Sequence, residues 1–143
     1  MHKLISARFD GGEKEHMARD IEKRLKDLGV KTFIVAAGAG DDFGMMTAIG
    51  LKKMDTMIAI CYDNYGQKTE SAYCSYYEVK YCVDHQIPVI PVRLSEDWPP
   101  KPPGPEEAEA FLDLLFPPSR VFIDGRNKSA TEIAGEIASR LAS

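Results

Sequence analysis

The sequence predicts an α/β fold in which parallel strands form an open sheet covered by helices on both faces. Two observations carry this. Short apolar runs alternate five times with amphipathic segments, and each interval is long enough for a crossover that brings the next strand in parallel. The clearest run, Thr56-Met57-Ile58-Ala59-Ile60-Cys61, is almost continuously apolar, as a strand buried on both faces should be.

Taken in order, Lys3 to Ala7 is a candidate first strand, followed by a turn at Asp10-Gly11-Gly12. Met17, Ile21, Leu25 and Leu28 then recur at helical spacing, and Gly29 is placed to end that helix. Lys31 to Ala36 is the second strand. A Gly- and Asp-rich loop, Gly38 to Gly44, leads to a short helix from Met45 to Lys53 and to the strand at Thr56–Cys61. After a polar loop, Ser71 to Gln86 reads as a helix. Ile87 to Val92 is the fourth strand, and Pro88 and Pro91 within it point to an irregular or edge position. Pro99, Pro100, Pro102, Pro103 and Pro105 impose an extended connection. Glu106 to Leu115 can form a helix, Arg120 to Asp124 a last strand, and Ser129 to Leu141 a closing helix with Ile133, Ile137 and Leu141 on one side.

No internal repeat or second unit interrupts this pattern, so residues 1–143 are expected to form one domain. A hydrophobic content of 44% with 28% charged residues is that of a globular chain. The net charge of -4 and the scattered Lys and Arg argue against a nucleic-acid binder. Eighteen consecutive apolar residues occur nowhere, so no membrane partner is expected. Arg8 and Asp10 interrupt the N-terminal apolar stretch too early for a secretory signal. Cys61, Cys74 and Cys82 are odd in number and lack metal-ligand spacing. They read as reduced thiols of a cytoplasmic protein with no metal site.

In sheets of this kind ligands bind outside the carboxyl ends of the strands. Those ends are Ser6 to Gly12, Ala36 to Gly44, Tyr62 to Glu70 and Arg93 to Lys101. His2, His16 and His85 are scattered and suggest solvated side chains. Gly38-Ala39-Gly40 lacks the remaining residues of a phosphate-binding loop. The helix Ser71–Gln86 is more informative, because all six tyrosines lie in or beside it, from Tyr62 to Tyr81. Ala72, Ser75, Tyr76, Val79, Cys82, Val83 and Gln86 form its sheet-facing side. Glu78 lies at the edge of that side, about 40° from Cys82. Its neighbours at three and four residues are Cys74, Ser75, Tyr81 and Cys82, none of them cationic, unlike the ordinary helix pair Glu22 and Lys26. A carboxylate without a local partner beside a loop-lined crevice is a candidate functional acid. The residues alone also allow a half-exposed helix glutamate.

Three stretches resemble the Toll/interleukin-1 receptor (TIR) family. Leu4-Ile5-Ser6-Ala7-Arg8 with its acidic turn and amphipathic helix is similar to the family's first strand and loop. Thr32-Phe33-Ile34-Val35 and the loop to Gly44 resemble the second strand and BB loop. Ser71 to Val79, followed by Ile87-Pro88-Val89-Ile90-Pro91-Val92, resembles the Glu-bearing helix and Ile-Pro strand. The resemblance implies a five-stranded parallel sheet in a flavodoxin-like, three-layer α/β fold. It implies cleavage of NAD+ at the nicotinamide–ribose bond in signalling or defence, with NAD+ as substrate and no bound cofactor. It also implies assembly with other TIR domains as a homo-oligomer. The family's essential glutamate falls on Glu78, its first-strand arginine on Arg8 with Phe9 beside it, and its BB-loop aromatic on Phe43. Many members carry Trp four residues before the glutamate. Here Cys74 stands in that position, with Tyr73 the nearest aromatic.

NAD+ cleavage needs only one carboxylate, because nicotinamide leaves as a neutral base and no acid has to protonate it. Two other readings stand beside this one. The first is a non-enzymatic TIR adaptor that acts by self-association. The second is a nucleoside deoxyribosyltransferase-like enzyme, which also uses a glutamate at a ribose carbon. A phosphoacceptor receiver domain is disfavoured, since the first strand lacks the acidic pair that binds its metal.

Overall fold

The computed structural model describes residues 2–8, 11–34, 49–68 and 75–142. The chain runs β1 (His2–Ser6), α1 (Glu13–Asp27), β2 (Thr32–Phe33), β3 (Met54–Cys61), α2 (Ser75–His85), β4 (Val89–Arg93), α3 (Glu106–Leu115), β5 (Ile123–Asp124) and α4 (Ala130–Ala142). Residues 49–53 are also helical and lead directly into β3. All strand pairs are parallel, in the order β2-β1-β3-β4-β5. That order is the flavodoxin-like one expected above, and it reverses direction between β1 and β3.

Strand alternation sorts the core into two layers. Leu4, Met57, Ala59 and Cys61 face one way and meet Val79 and Cys82 of α2 and Leu112 and Leu115 of α3. Ile5, Ile58, Ile60 and Val92 face the other way, against Ala18, Ile21 and Leu25 of α1 and Ile133, Ala134 and Ile137 of α4. The result is three layers, helix, sheet and helix. Ser6 shares the face of Leu4, so its hydroxyl points beneath α2.

Several elements end where the sequence places their punctuation. Helix α1 closes at Gly29, whose φ of 84° suits a residue without Cβ, and the Val30 N–H donates to the Leu25 carbonyl at 3.0 Å. Asp55 is an extra residue in β3, in the register shift between His2↔Met54 and Lys3↔Thr56. Its carboxylate receives the Lys3 ammonium at 2.7 Å.

Of the irregular or edge position expected for the proline-containing strand, the edge alternative is corrected, because β4 lies between β3 and β5. The Pro88 carbonyl accepts the Met57 N–H from β3, and residues of a parallel strand address alternate sides. Pro91 therefore turns its missing N–H toward β5, and pairing there begins only at Val92↔Ile123. The interior proline costs no ladder bond because the neighbouring strand starts one residue later. Strand β5 is also shorter than the expected Arg120–Asp124 segment.

Candidate functional site

The site is built where β1, the β3–α2 turn and α2 converge. Ser6 ends β1 and is fully buried, as is Tyr65, and Glu78 is only 2% exposed. The Ser6 hydroxyl donates to Glu78 Oε1 at 2.6 Å, and Ser6 Oγ lies 2.7 Å from the Tyr65 hydroxyl. A hydroxyl has a single proton to give. Since that of Ser6 goes to the carboxylate, the Tyr65 O–H must donate to Ser6 Oγ. The direction of the chain is therefore Tyr65 to Ser6 to Glu78.

The half-exposed helix glutamate that the residues alone also allowed is thus excluded, because Glu78 is buried. A small residue, Ser6, lies opposite it on the sheet, which leaves room for the carboxylate to turn inward. The bond made there offsets part of the cost of burying it. A hydroxyl partner for it comes from β1.

The Tyr65 turn is held from both sides. The Gly66 N–H donates to Ser75 Oγ at 3.0 Å, tying the turn to the start of α2. Gly66 has a φ of 82°, and a Cβ there would stand 3.1 Å from the Leu112 methyls of α3. Burial, above all, pushes the Tyr65 phenol well above its ordinary range, and the Cys61 thiol and the Glu78 carboxylate add to it. The Ser6 hydrogen bond works in the opposite direction. Tyr65 therefore remains a proton donor at neutral pH. The Cys82 thiol, one turn beyond Glu78, is pushed up to about 12 by burial and then by the Glu78 charge. Burial likewise raises Cys61, so neither thiol is a thiolate nucleophile at neutral pH.

Arg8 follows β1 by two residues and is partly exposed. Its Nε is buried without a hydrogen-bond partner. Lys14, in the first turn of α1, sets its ammonium 5.4 Å from the centre of the Tyr62 ring, just beyond β3. Arg8 and Glu78 thus both belong to the carboxyl edge of the sheet near the β1–β3 reversal. Phe9, Phe43, Tyr73 and Cys74, together with the BB-loop stretch Gly38–Gly44, lie outside the described residues.

Among the described residues no group of three or more His, Cys, Asp or Glu side chains is placed to hold a metal. No described helix is long and apolar enough to cross a membrane. A buried carboxylate oriented by a hydroxyl donor is suited to stabilising positive charge that develops beside it.

Sequence reasoning singled out Glu78 but missed Ser6 and Tyr65 as its partners. A signal for Ser6 was available. Alternation places it on the buried face of an apolar strand, where a hydroxyl needs a partner. Tyr65 carried no comparable signal, because its turn reads only as a polar loop.

The family model described as TIR domain matches residues 9–139. No curated protein matches the chain. Among solved structures, it is similar to a cysteine-to-alanine mutant of flavodoxin from Pseudomonas aeruginosa. The identity is 16%, with 100% of both chains covered and a TM-score of 0.55. The cysteine-to-serine mutant of the same flavodoxin gives 16% identity, the same coverage and a TM-score of 0.54. At such identity the likeness concerns the fold alone.

Proposed function

We propose, because this chain belongs to the TIR domain family, that it cleaves NAD+ at the nicotinamide–ribose bond, with Glu78 as its catalytic carboxylate, in signalling or defence. The observation that supports this reading best is the Ser6–Glu78 contact at the carboxyl edge of the sheet. It holds an acid near the β1–β3 reversal, where folds of this order take their ligands.

The chemistry asks little else of the protein. As the bond between the ribose C1′ and the nicotinamide nitrogen breaks, its electron pair stays with nitrogen and neutralises the pyridinium. No general acid is needed, in contrast to glycosides, whose leaving oxygen must be protonated. Positive charge builds on the ribose, and an adjacent carboxylate lowers its energy. Water then adds to C1′ and gives up a proton, yielding ADP-ribose. Attack by the adenine base of the same molecule gives a cyclic product instead.

In this reading Glu78 meets the ribose hydroxyls and the developing cation. Arg8, whose side chain is partly exposed, binds the diphosphate or ribose. Phe9, Phe43 or Tyr73 stacks on the bases, and Cys74 belongs to the same proposed substrate-binding set. No cofactor is required beyond NAD+ as substrate, and the chain associates with other TIR domains as a homo-oligomer. The test is nicotinamide release from NAD+ at high protein concentration, with and without Glu78→Gln.

One observation favours a second reading. A glutamate that is 2% exposed and served by a serine hydroxyl is also how a purely structural acid is accommodated. The chain would then be an adaptor that signals by assembly alone. Concentration-dependent association that survives Glu78→Gln, and is lost on changing the 38–44 loop, distinguishes that reading when NAD+ is left intact. Base exchange on deoxynucleosides without action on NAD+ would indicate the deoxyribosyltransferase-like chemistry.

A further inference from the structure

We infer that Tyr65 and Ser6 are positioning residues for Glu78, forming a two-hydroxyl relay that fixes one carboxylate oxygen and so sets the plane of the group that faces the ribose. This deepens the proposed function and rests on Glu78 being its catalytic acid.

Three features support the relay. The proton inventory leaves one order, with the Tyr65 O–H donating to Ser6 and the Ser6 O–H donating to Glu78 Oε1. Each hydroxyl that passes a proton toward the next acceptor becomes a better acceptor itself, so donors in series strengthen one another. The far end is anchored as well, because the bond from the Gly66 N–H to Ser75 Oγ ties the Tyr65 turn to the helix that bears Glu78. The relay therefore closes a ring from α2 through β1 and the β3–α2 turn back to α2. A shift of the turn would move the carboxylate with it.

Ser6 and Tyr65 have no exposed surface, so neither can touch a substrate directly. Any effect they exert on turnover must pass through Glu78. A residue that only supports the fold would change the amount of folded protein. One that binds substrate would change KM. A positioning residue lowers kcat in protein that is still folded and still binds.

The experiment compares Tyr65→Phe, which removes one oxygen and keeps the ring, with Ser6→Ala in the intact chain. Nicotinamide release from NAD+ gives kcat and KM, and a thermal melt confirms folding at the assay temperature. In parallel, carbon-13 NMR follows the titration of the Glu78 carboxyl group. The Glu78 charge acts on both Tyr65 and Cys82, and the Tyr65→Phe variant leaves Cys82 in place. We expect kcat to fall about tenfold in Tyr65→Phe and further in Ser6→Ala, with KM changed by less than about twofold. The Glu78 midpoint should move to higher pH in both variants, since a lost donor weakens the ionised form. Unchanged kcat in both folded variants, or a Glu78 midpoint equal to that of the wild type in both, overturns the relay. If the wild type releases no nicotinamide while both variants still move the Glu78 midpoint, the relay stands and the enzymatic reading falls.

Discussion

Ser6 and Glu78 are 72 residues apart in the chain, yet the Ser6 hydroxyl meets the Glu78 carboxylate at 2.6 Å. The contact joins the first strand to the helix that covers the far side of β3. It makes the geometry of the candidate site depend on the parallel crossover topology itself. If β1 slipped by one residue, Ser6 would turn to the α1 face and Glu78 would lose this partner.

The turn that carries Tyr65 should tolerate no side chain at Gly66. Gly66→Ala forces a Cβ-bearing residue to a φ of 82° and drives it into the Leu112 methyls at 3.1 Å. The left-handed backbone alone costs roughly 1–2 kcal/mol, and the overpacking adds to it. Urea denaturation should therefore show a midpoint well below that of the wild type. An unchanged midpoint would mean that the turn is not held as described.

Substitution in the opposite layer should separate stability from chemistry. Ile137 is fully buried between α4 and the sheet, on the face away from Glu78. Ile137→Ala should lose about 2–5 kcal/mol through the cavity it leaves. The kcat of the folded fraction should stay at the wild-type value. A parallel loss of kcat would show that the two layers are coupled.

How much of this was legible in the sequence depended on how local each signal was. The apolar run of β3, the helical spacing of Met17 to Leu28 and the Gly29 stop are read within a few residues, and the elements formed accordingly. The position of β4 was misread because Pro88 and Pro91 report only a missing N–H. Whether that gap costs a ladder bond depends on where β5 begins, at Ile123. Glu78 was found through its lack of a cation at helical spacing. Its inward turn could not be read, because it requires the small Ser6 on a strand 72 residues earlier. Tyr65 enters only through that same long-range contact.

The buried thiols predict an alkaline weakness. Cys82 holds its proton up to about 12 in the folded chain, and burial raises Cys61 in the same direction. An unfolded chain loses those protons near ~8.5. Their contribution to stability is therefore complete below that pH and is lost as pH rises toward the folded value. The urea midpoint should be lower at pH 10 than at pH 7.5. In the native protein at pH 7.5, neither Cys61 nor Cys82 should react with a thiol reagent, as followed by peptide mass spectrometry. Rapid labelling of Cys82 under those conditions would contradict its burial.

Arg8 should affect substrate binding more than the chemical step. Arg8→Ala removes the donor assigned to the diphosphate or ribose, so KM for NAD+ should rise on the order of tenfold with little change in kcat. Initial rates over a range of NAD+ concentrations test this. Equal KM values would remove Arg8 from the site.

The most direct test of the central claim is nicotinamide release from NAD+ by wild-type protein and by Glu78→Gln, measured side by side at a concentration that promotes assembly. Glutamine keeps the size of the side chain and an oxygen to accept the Ser6 hydroxyl but lacks the charge. The wild type should release nicotinamide, and the variant should remain folded while its rate falls on the order of 100-fold or more. Equal release by both proteins, or none by the wild type once assembly is demonstrated, would contradict the assignment of Glu78 as the catalytic carboxylate.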